Sequence, residues 1–317
     1  MADLLSSAYR LLEFFMQIKK EEQLWIVSDL PSHENGRIAI EQAKEDLGLS
    51  INDVRIPQMQ ANGQEPPIKI VDKIRPIGPV LAYTSYSLSS TEFRRNVCSN
   101  GGRFFSLPDG KEALALLDVD DAHISIMRKR GEQIKEALEQ GDPVILYWGD
   151  VELDIPLAKR KARLDLAECH TAGSFGSPSF EVNTVPMEYA SEGSIKAIAA
   201  VPDLGIFSKP VHLEVEGGRI TNVINGGKDL GISQWEKYIS KASPDMLRIA
   251  ELGIGLNHLI AFPANTYVAN ESVWGTVHIG IGRNLSLGGT FDAPGHIDIV
   301  LRPTSVKIGN LSLNSLE

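Results

Sequence analysis

The stretch Thr276-Val277-His278-Ile279-Gly280-Ile281-Gly282 decides how the second half of this chain is read. Successive side chains of a strand point to opposite faces, so Val277, Ile279 and Ile281 form one stripe while Thr276, His278, Gly280 and Gly282 share the other. The apolar stripe belongs against a core, and the opposite face leaves an imidazole among small neighbours with room beside its ring. His296-Ile297-Asp298-Ile299 repeats the pattern: His296 and Asp298 project together while Ile297 and Ile299 face inward. An imidazole and a carboxylate two residues apart on one strand face form a compact chelate for a divalent cation. Alone, H-x-D fits a solvent-facing pair as well, and a single strand histidine fits a structural role.

Working outward, short alternating runs separated by glycine fill the chain from residue 156 to 317. His212–Glu216 and Arg219–Ile224 flank Gly217-Gly218 as a hairpin, the glycines supplying the positive φ of the turn. Val273–Ile281 and Ile297–Leu301 read as strands, and Ser243–Leu252 is expected to begin as a helix. Before residue 156 helices and strands alternate. Leu5–Lys20, Gly36–Leu47, Ser90–Cys98 and Asp120–Glu139 have helical character; Leu24–Val27, Val54–Ile56, Val80–Tyr83, Phe104–Leu107 and Val144–Trp148 read as strands, with Ile77-Gly78-Pro79 as a break. The expected fold is therefore an α/β N-terminal layer with a largely parallel sheet over residues 1–155, followed by a β-rich (α+β) domain over 156–317.

Composition narrows the function. The 317 residues carry 41 acidic against 31 basic side chains, a net charge of -10 that argues against general affinity for nucleic acid. Arg128-Lys129-Arg130 and Lys159-Arg160-Lys161 read as solvated helix faces. No run approaches a membrane span, and Met1-Ala2-Asp3-Leu4-Leu5 carries an acid where a secretory signal has its basic region, so a cytoplasmic protein is expected. Cys98 and Cys169 are too few for a disulfide framework or a zinc ribbon. The phosphate-loop, dinucleotide and H-E-x-x-H motifs are absent, and Gly173-Ser174-Phe175-Gly176-Ser177 lacks nucleophile-elbow spacing and reads as a loop.

Two acids extend the candidate site. Glu251, in Ala250-Glu251-Leu252-Gly253-Ile254-Gly255, is a charge inside an apolar segment, where burial without a partner costs several kcal/mol. A cation would supply that partner. Glu188 follows the Val185-Pro186 turn, where a surface acid is an equal reading, and Glu192 is its local competitor. His258 and His170 read as outer or structural imidazoles.

Together, Pro186-Met187-Glu188, Ala250-Glu251-Leu252-Gly253, Val277-His278-Ile279-Gly280-Ile281-Gly282 and His296-Ile297-Asp298 resemble, in order and spacing, the thermophilic metallo-aminopeptidases of the aminopeptidase T and S type, over roughly residues 165–310. The resemblance implies Glu188, Glu251, His278, His296 and Asp298 as ligands of two divalent metals (zinc, cobalt or manganese). Glu251 would be the bridging, catalytic carboxylate. It also implies a homodimer acting on a small-molecule or short-peptide substrate, with neither nucleic acid nor membrane as partner. Seven residues after His278, where that family has a tyrosine, this chain has Leu285; Tyr189 or Tyr267 could replace it if brought close. A neighbouring branch, the iron-dependent dihydroxypyridine dioxygenases, resembles the chain in Pro186-Met187-Glu188, the Glu214–Gly227 hairpin and His296-Ile297-Asp298. That branch has histidine at the position of Glu251 and none at that of His278. It implies the alternative, one Fe(II) held by His278, His296 and Asp298. A third reading has the metal merely knit the β domain.

Overall fold

The computed structural model describes residues 3–29, 34–60, 62–74, 78–200, 205–224 and 230–316. Helix α1 (Leu4–Tyr9) is capped by Asp3, whose carboxylate accepts from Leu5 N at 3.0 Å, and runs into a π-helical turn over Arg10–Phe15. The helix expected over Leu5–Lys20 ends there, and Gln17 takes a left-handed φ of 47°. Strands β1 (Gln23–Ser28), β2 (Ser50–Arg55), β3 (Pro79–Tyr83) and β4 (Arg103–Leu107) alternate with helices α2 (Glu34–Leu47), α3 (Ile68–Val71), α4 (Glu92–Ser99), α5 (Gly110–Ala115) and α6 (Asp121–Gln140). The four strands pair in parallel in the order β2-β1-β3-β4. β3 and β4 are buried at every position, as expected of strands covered on both faces.

After α6 come β5 (Val144–Trp148), β6 (Val151–Ile155), β7 (Arg163–Leu166) and β8 (Phe175–Gly176). β8 returns to the parallel sheet beside β4, so part of the segment expected as a loop is an edge strand. β5 does not close the parallel layer. Gly149, at a φ of 71°, and Asp150 turn the chain back so that Trp148 faces Val151, and β5 joins an antiparallel sheet. A partner two residues away needs no crossover helix. The chain accordingly divides into two compact units, Met1–Ile124 with Leu166–Ser179, and Ser125–Asp165 with Phe180–Glu317.

The second unit continues with β9 (Phe180–Thr184), β10 (Glu192–Ala200), β11 (Gly205–Glu216), β12 (Arg219–Ile224), α7 (Leu230–Lys241), β13 (Ile249–Gly255), α8 (Tyr267–Ser272), β14 (Val277–Gly282), β15 (His296–Leu301), β16 (Ser305–Ile308) and β17 (Leu311–Ser312). Its sheet runs β17-β16-β5-β6-β10-β15-β14-β13-β9-β7, with the β11–β12 hairpin attached through β10. The helix expected from Ser243 is only a 3-10 turn, Pro244–Leu247, before β13 begins at Ile249. The strand expected from Val273 begins at Val277, because Gly275, at a φ of 77°, turns the preceding residues, and Thr276 Oγ1 donates to Val273 O at 2.8 Å. Leu252, Ile254, Val277, Ile279, Ile281, Ile299 and Leu301 are fully buried on one face of the central strands. Each contributes about 1.5–3 kcal/mol, and together they fix the register that aims the opposite face. Among the described residues no helix is long and apolar enough to cross a membrane. Ile77 and residues 225–227 of the hairpin segment lie outside the described residues.

Candidate metal centre

Four adjacent strands present the site. Across β9 and β13, Glu181 faces Gly255 and Asn183 faces Gly253. Across β13 and β14, Gly253 faces His278 and Glu251 faces Gly280; across β14 and β15, Gly280 faces Asp298 and Gly282 faces His296. Residues paired directly across antiparallel strands share a sheet face. Glu181, Glu251, His278, His296 and Asp298 therefore project from one face, opposite the apolar one. The glycines make room: a Cβ at Gly253 would overlap the His278 ring, and one at Gly280 would overlap the His296 ring and Glu251 Cβ.

Glu251 stands at the centre. Its Oε2 lies 3.2 Å from His296 Nε2, and its Oε1 lies 3.9 Å from His278 Nε2. His296 Nε2 is also 2.9 Å from Asp298 Oδ1, while its Nδ1 lies 2.7 Å from the Arg283 carbonyl, a bond that fixes Nε2 toward the carboxylates. His278 Nε2 is 3.5 Å from Glu181 Oε2. Among the described residues, two groups of three have ligand atoms all within 4.8 Å of one another: Glu181, Glu251 and His278, and Glu251, His296 and Asp298. His278, His296 and Asp298 do not form such a group.

A second layer comes from α8. Thr266 caps it, its Oγ1 accepting from Ala269 N at 3.3 Å, and Asn257 N donates to Ser272 O at 2.7 Å. Gly255 lets this backbone approach, since a Cβ there would meet the carbonyls of Glu271 and Val273. Glu271 is thereby held buried, and its Oε1 has no hydrogen-bond partner.

Protonation follows this crowding. Burial, reinforced by Glu251 and Asp165, raises the Glu181 carboxyl to about 7 despite the adjacent His278. Burial also carries Glu271 well above the carboxylate range, with the charge of Asp298 adding to it. It opposes protonation of the imidazoles, yet Glu181 and Glu251 lift His278 to about 10, and Asp298 and Glu251 lift His296 well above its ordinary value. Glu251 would be raised by burial, but the neighbouring His278 and His296 imidazoles hold it below the ordinary range. Protons thus bind where cations could: the donors are nitrogen and oxygen without thiolate, and a buried carboxylate oxygen lacks a partner, a set that fits divalent cations.

Glu188 is placed differently. Its Oε1 accepts from Thr290 N at 2.7 Å, Thr290 Oγ1 at 2.9 Å and Asn284 Nδ2 at 3.2 Å, and its Oε2 accepts from Arg160 at 2.9 Å. Burial would raise this carboxyl, but the bonds from Arg160, Thr290 and Asn284 bring it down to about 2. Arg160, expected on a solvated helix face, lies in the β6–β7 connection and serves this contact. Glu192 Oε1 accepts from Gly217 N at 2.8 Å, and His170 Nε2 lies 2.8 Å from the Phe14 carbonyl in the first unit. His258 follows β13 and is in neither ligand group. Leu285 opens an exposed 3-10 turn, and Tyr189 packs edge-on against Phe291 beneath the Arg248 guanidinium.

The two carboxylates absent from sequence reasoning differ in legibility. Glu181, in Phe180-Glu181-Val182-Asn183-Thr184, carries a period-two signal that places it with Asn183. Glu271 carries no periodic signal, and only the packing of α8 reveals it.

No protein-family model matches the chain, and no curated protein matches it. Solved structures that share its fold include two enzymes. The 2,5-dihydroxypyridine dioxygenase from Pseudomonas putida KT2440 superposes with a TM-score of 0.79 at 17% identity, covering 97% of this chain and 94% of its own. AmpT from Thermus thermophilus superposes with a TM-score of 0.67 at 12% identity, covering 96% of this chain and 94% of its own.

Proposed function

We propose that the chain is a metal-dependent, aminopeptidase-like hydrolase that cleaves an amide or N-terminal peptide bond with two divalent cations. The observation that carries this reading is the position of Glu251, a member of both ligand groups with one oxygen toward each imidazole. A carboxylate so placed can bridge two cations, which a neutral imidazole cannot. Charge agrees: Glu181, Glu251, Glu271 and Asp298 are four carboxylates, and two divalent cations match them while the imidazoles stay neutral.

Cations held here supply Lewis acidity and lower the pKa of bound water. The chain's own groups do the rest. His296, tied through Nδ1 to Arg283, presents Nε2 to the outer group; Asp298 shares that face; Glu181 and His278 build the inner group. Zinc, cobalt and manganese all suit the donors. A cytoplasmic homodimer acting on a small molecule or short peptide completes the proposal, on the acidic composition and the resemblance.

The dioxygenase reading draws support from the higher of the two TM-scores, 0.79. It needs two histidines and one carboxylate on one iron, whereas His278, His296 and Asp298 are not gathered within 4.8 Å. The deciding measurement is turnover with and without O₂ in ¹⁸O-labelled water. Hydrolysis proceeds anaerobically and takes its oxygen from water; O₂ consumed in step with loss of an aromatic substrate would overturn the proposal.

A further inference from the structure

We infer that Glu188 and Asn284 are positioning residues for His296, acting through the loop over residues 283–295 whose Arg283 carbonyl orients that imidazole. The inference rests on the reading of His296 as a metal ligand, and it gives Glu188 a different task from the one implied by resemblance.

Three sets of bonds carry it. The first holds the ring: His296 Nδ1 lies 2.7 Å from the Arg283 carbonyl, and the loop closes beside it where Arg283 N donates to Gly295 O at 2.7 Å. The second spans the loop through Asn284, which is fully buried. Its N donates to Phe291 O at 3.1 Å and its Oδ1 accepts from Phe291 N at 2.7 Å. Gly289 leaves space for this side chain, since a Cβ there would overlap the Asn284 amide. The third ties the closed loop to the rest of the unit. Asn284 Nδ2 donates to Glu188 Oε1 at 3.2 Å and to Ala250 O on β13 at 3.4 Å, while Thr290 N and Oγ1 donate to the same Glu188 oxygen at 2.7 and 2.9 Å. One carboxylate oxygen thus gathers both arms of the loop, and the other accepts from Arg160 at 2.9 Å, which balances the charge. Without Glu188, three donors lose their acceptor and the Arg283 carbonyl is no longer fixed against the ring. The partner of the outer nitrogen sets how a histidine presents its other nitrogen to a metal.

Nuclear magnetic resonance of the histidine rings in the metal-free full chain, with calorimetric titration by Mn²⁺, tests this on the wild type, Glu188→Ala, Glu188→Gln and Asn284→Asp. In the metal-free wild type the His296 Nδ1 proton is expected as a slowly exchanging downfield signal. Glu188→Gln keeps an oxygen for Thr290 and Asn284, so it should retain that signal and both cation affinities. Glu188→Ala should lose the signal and bind one of the two cations roughly tenfold or more weakly, with the other unchanged. Asn284→Asp keeps the volume of the side chain but sets a carboxylate against Glu188, and it should behave as Glu188→Ala; it decides the matter where Glu188→Ala does not fold. A lower melting point in both variants, with the Nδ1 signal and both affinities intact, would make the role merely structural and overturn the inference. Loss of a cation in Glu188→Gln with the signal intact would make Glu188 a ligand and overturn it as well. A single cation in the wild type would overturn the two-cation reading, with the Nδ1 signal of the variants still deciding the inference.

Discussion

Gly253 and Gly280 set how closely the imidazoles approach the carboxylates, because each ring lies over a cross-strand neighbour without a side chain. Gly253→Ala is therefore expected to push His278 out of the inner group, costing about 1–3 kcal/mol through overpacking and weakening metal binding; calorimetry and a melting curve separate the two effects. His296→Ala and Asp298→Ala act oppositely. Both side chains are partly accessible and point away from the buried Ile297, Ile299 and Leu301, so activity should fall by about 100-fold or more while the melting curve of the metal-free protein changes little. Loss of folding in both variants, with metal content unchanged, would make these residues structural. In the first unit, Asp109 caps α5 at a left-handed φ of 59°, and its Oδ2 is buried without a partner. Burial first, then Glu112, raises this carboxyl to about 6. A raised carboxyl favours folding at low pH, and the advantage is lost as pH rises through about 6. Asp109→Asn should thus leave stability near pH 4 unchanged and gain on the order of 1–2 kcal/mol at pH 8, the partial exposure of the group reducing the full effect. Denaturant titration at both values checks the sign.

Elements differ in how far their residues announce them. β14 and β15 are legible because alternation of apolar and small or polar residues is the signature of a strand with two unlike faces. β13 is not: buried at every position, it presents an apolar run that helix and strand share, and its pairing with β9 and β14 settles the choice. β5 was legible as a strand but not as a member of the second sheet, since only the Gly149-Asp150 turn commits it to β6. Glu181 was missed although β9 alternates, whereas α8 is too short for periodicity to place Glu271. That helix depends on local devices. Thr266 caps it, and Asn270 bonds the Ala264 backbone through both side-chain atoms, at 2.9 and 2.8 Å. Thr266→Ala should cost about 1 kcal/mol, and it should weaken binding of one cation more than the other, because α8 packs chiefly on β13 and β9, which carry Glu251 and Glu181, and less on β15. Equal weakening of both would refute this separation of the two groups.

At the scale of the whole molecule, the second unit concentrates carboxylates and imidazoles on one face of a sheet whose other face is apolar, so its stability is coupled to whatever neutralises that face. Apolar burial stabilises the sheet whether or not cations are bound; the ligands repel one another unless protons or cations intervene. A ligand that binds only the folded state adds RT ln(1 + [L]/Kd), about 2.7 kcal/mol at a hundredfold excess over Kd for one site. Chelation should therefore lower the melting temperature, and restoring Mn²⁺ or Zn²⁺ should raise it in a concentration-dependent way. Protons and cations compete for the same nitrogen and oxygen atoms, so the increment due to metal should grow as pH rises from 6 to 8. The cysteines give no competing site, since Cys98 and Cys169 lie in the first unit and burial raises both thiols. Differential scanning calorimetry of the metal-free and reloaded protein across that range is the test. An increment independent of pH, or no increment, would mean that the buried carboxylates are stabilised by protons alone and that the centre does not hold a cation.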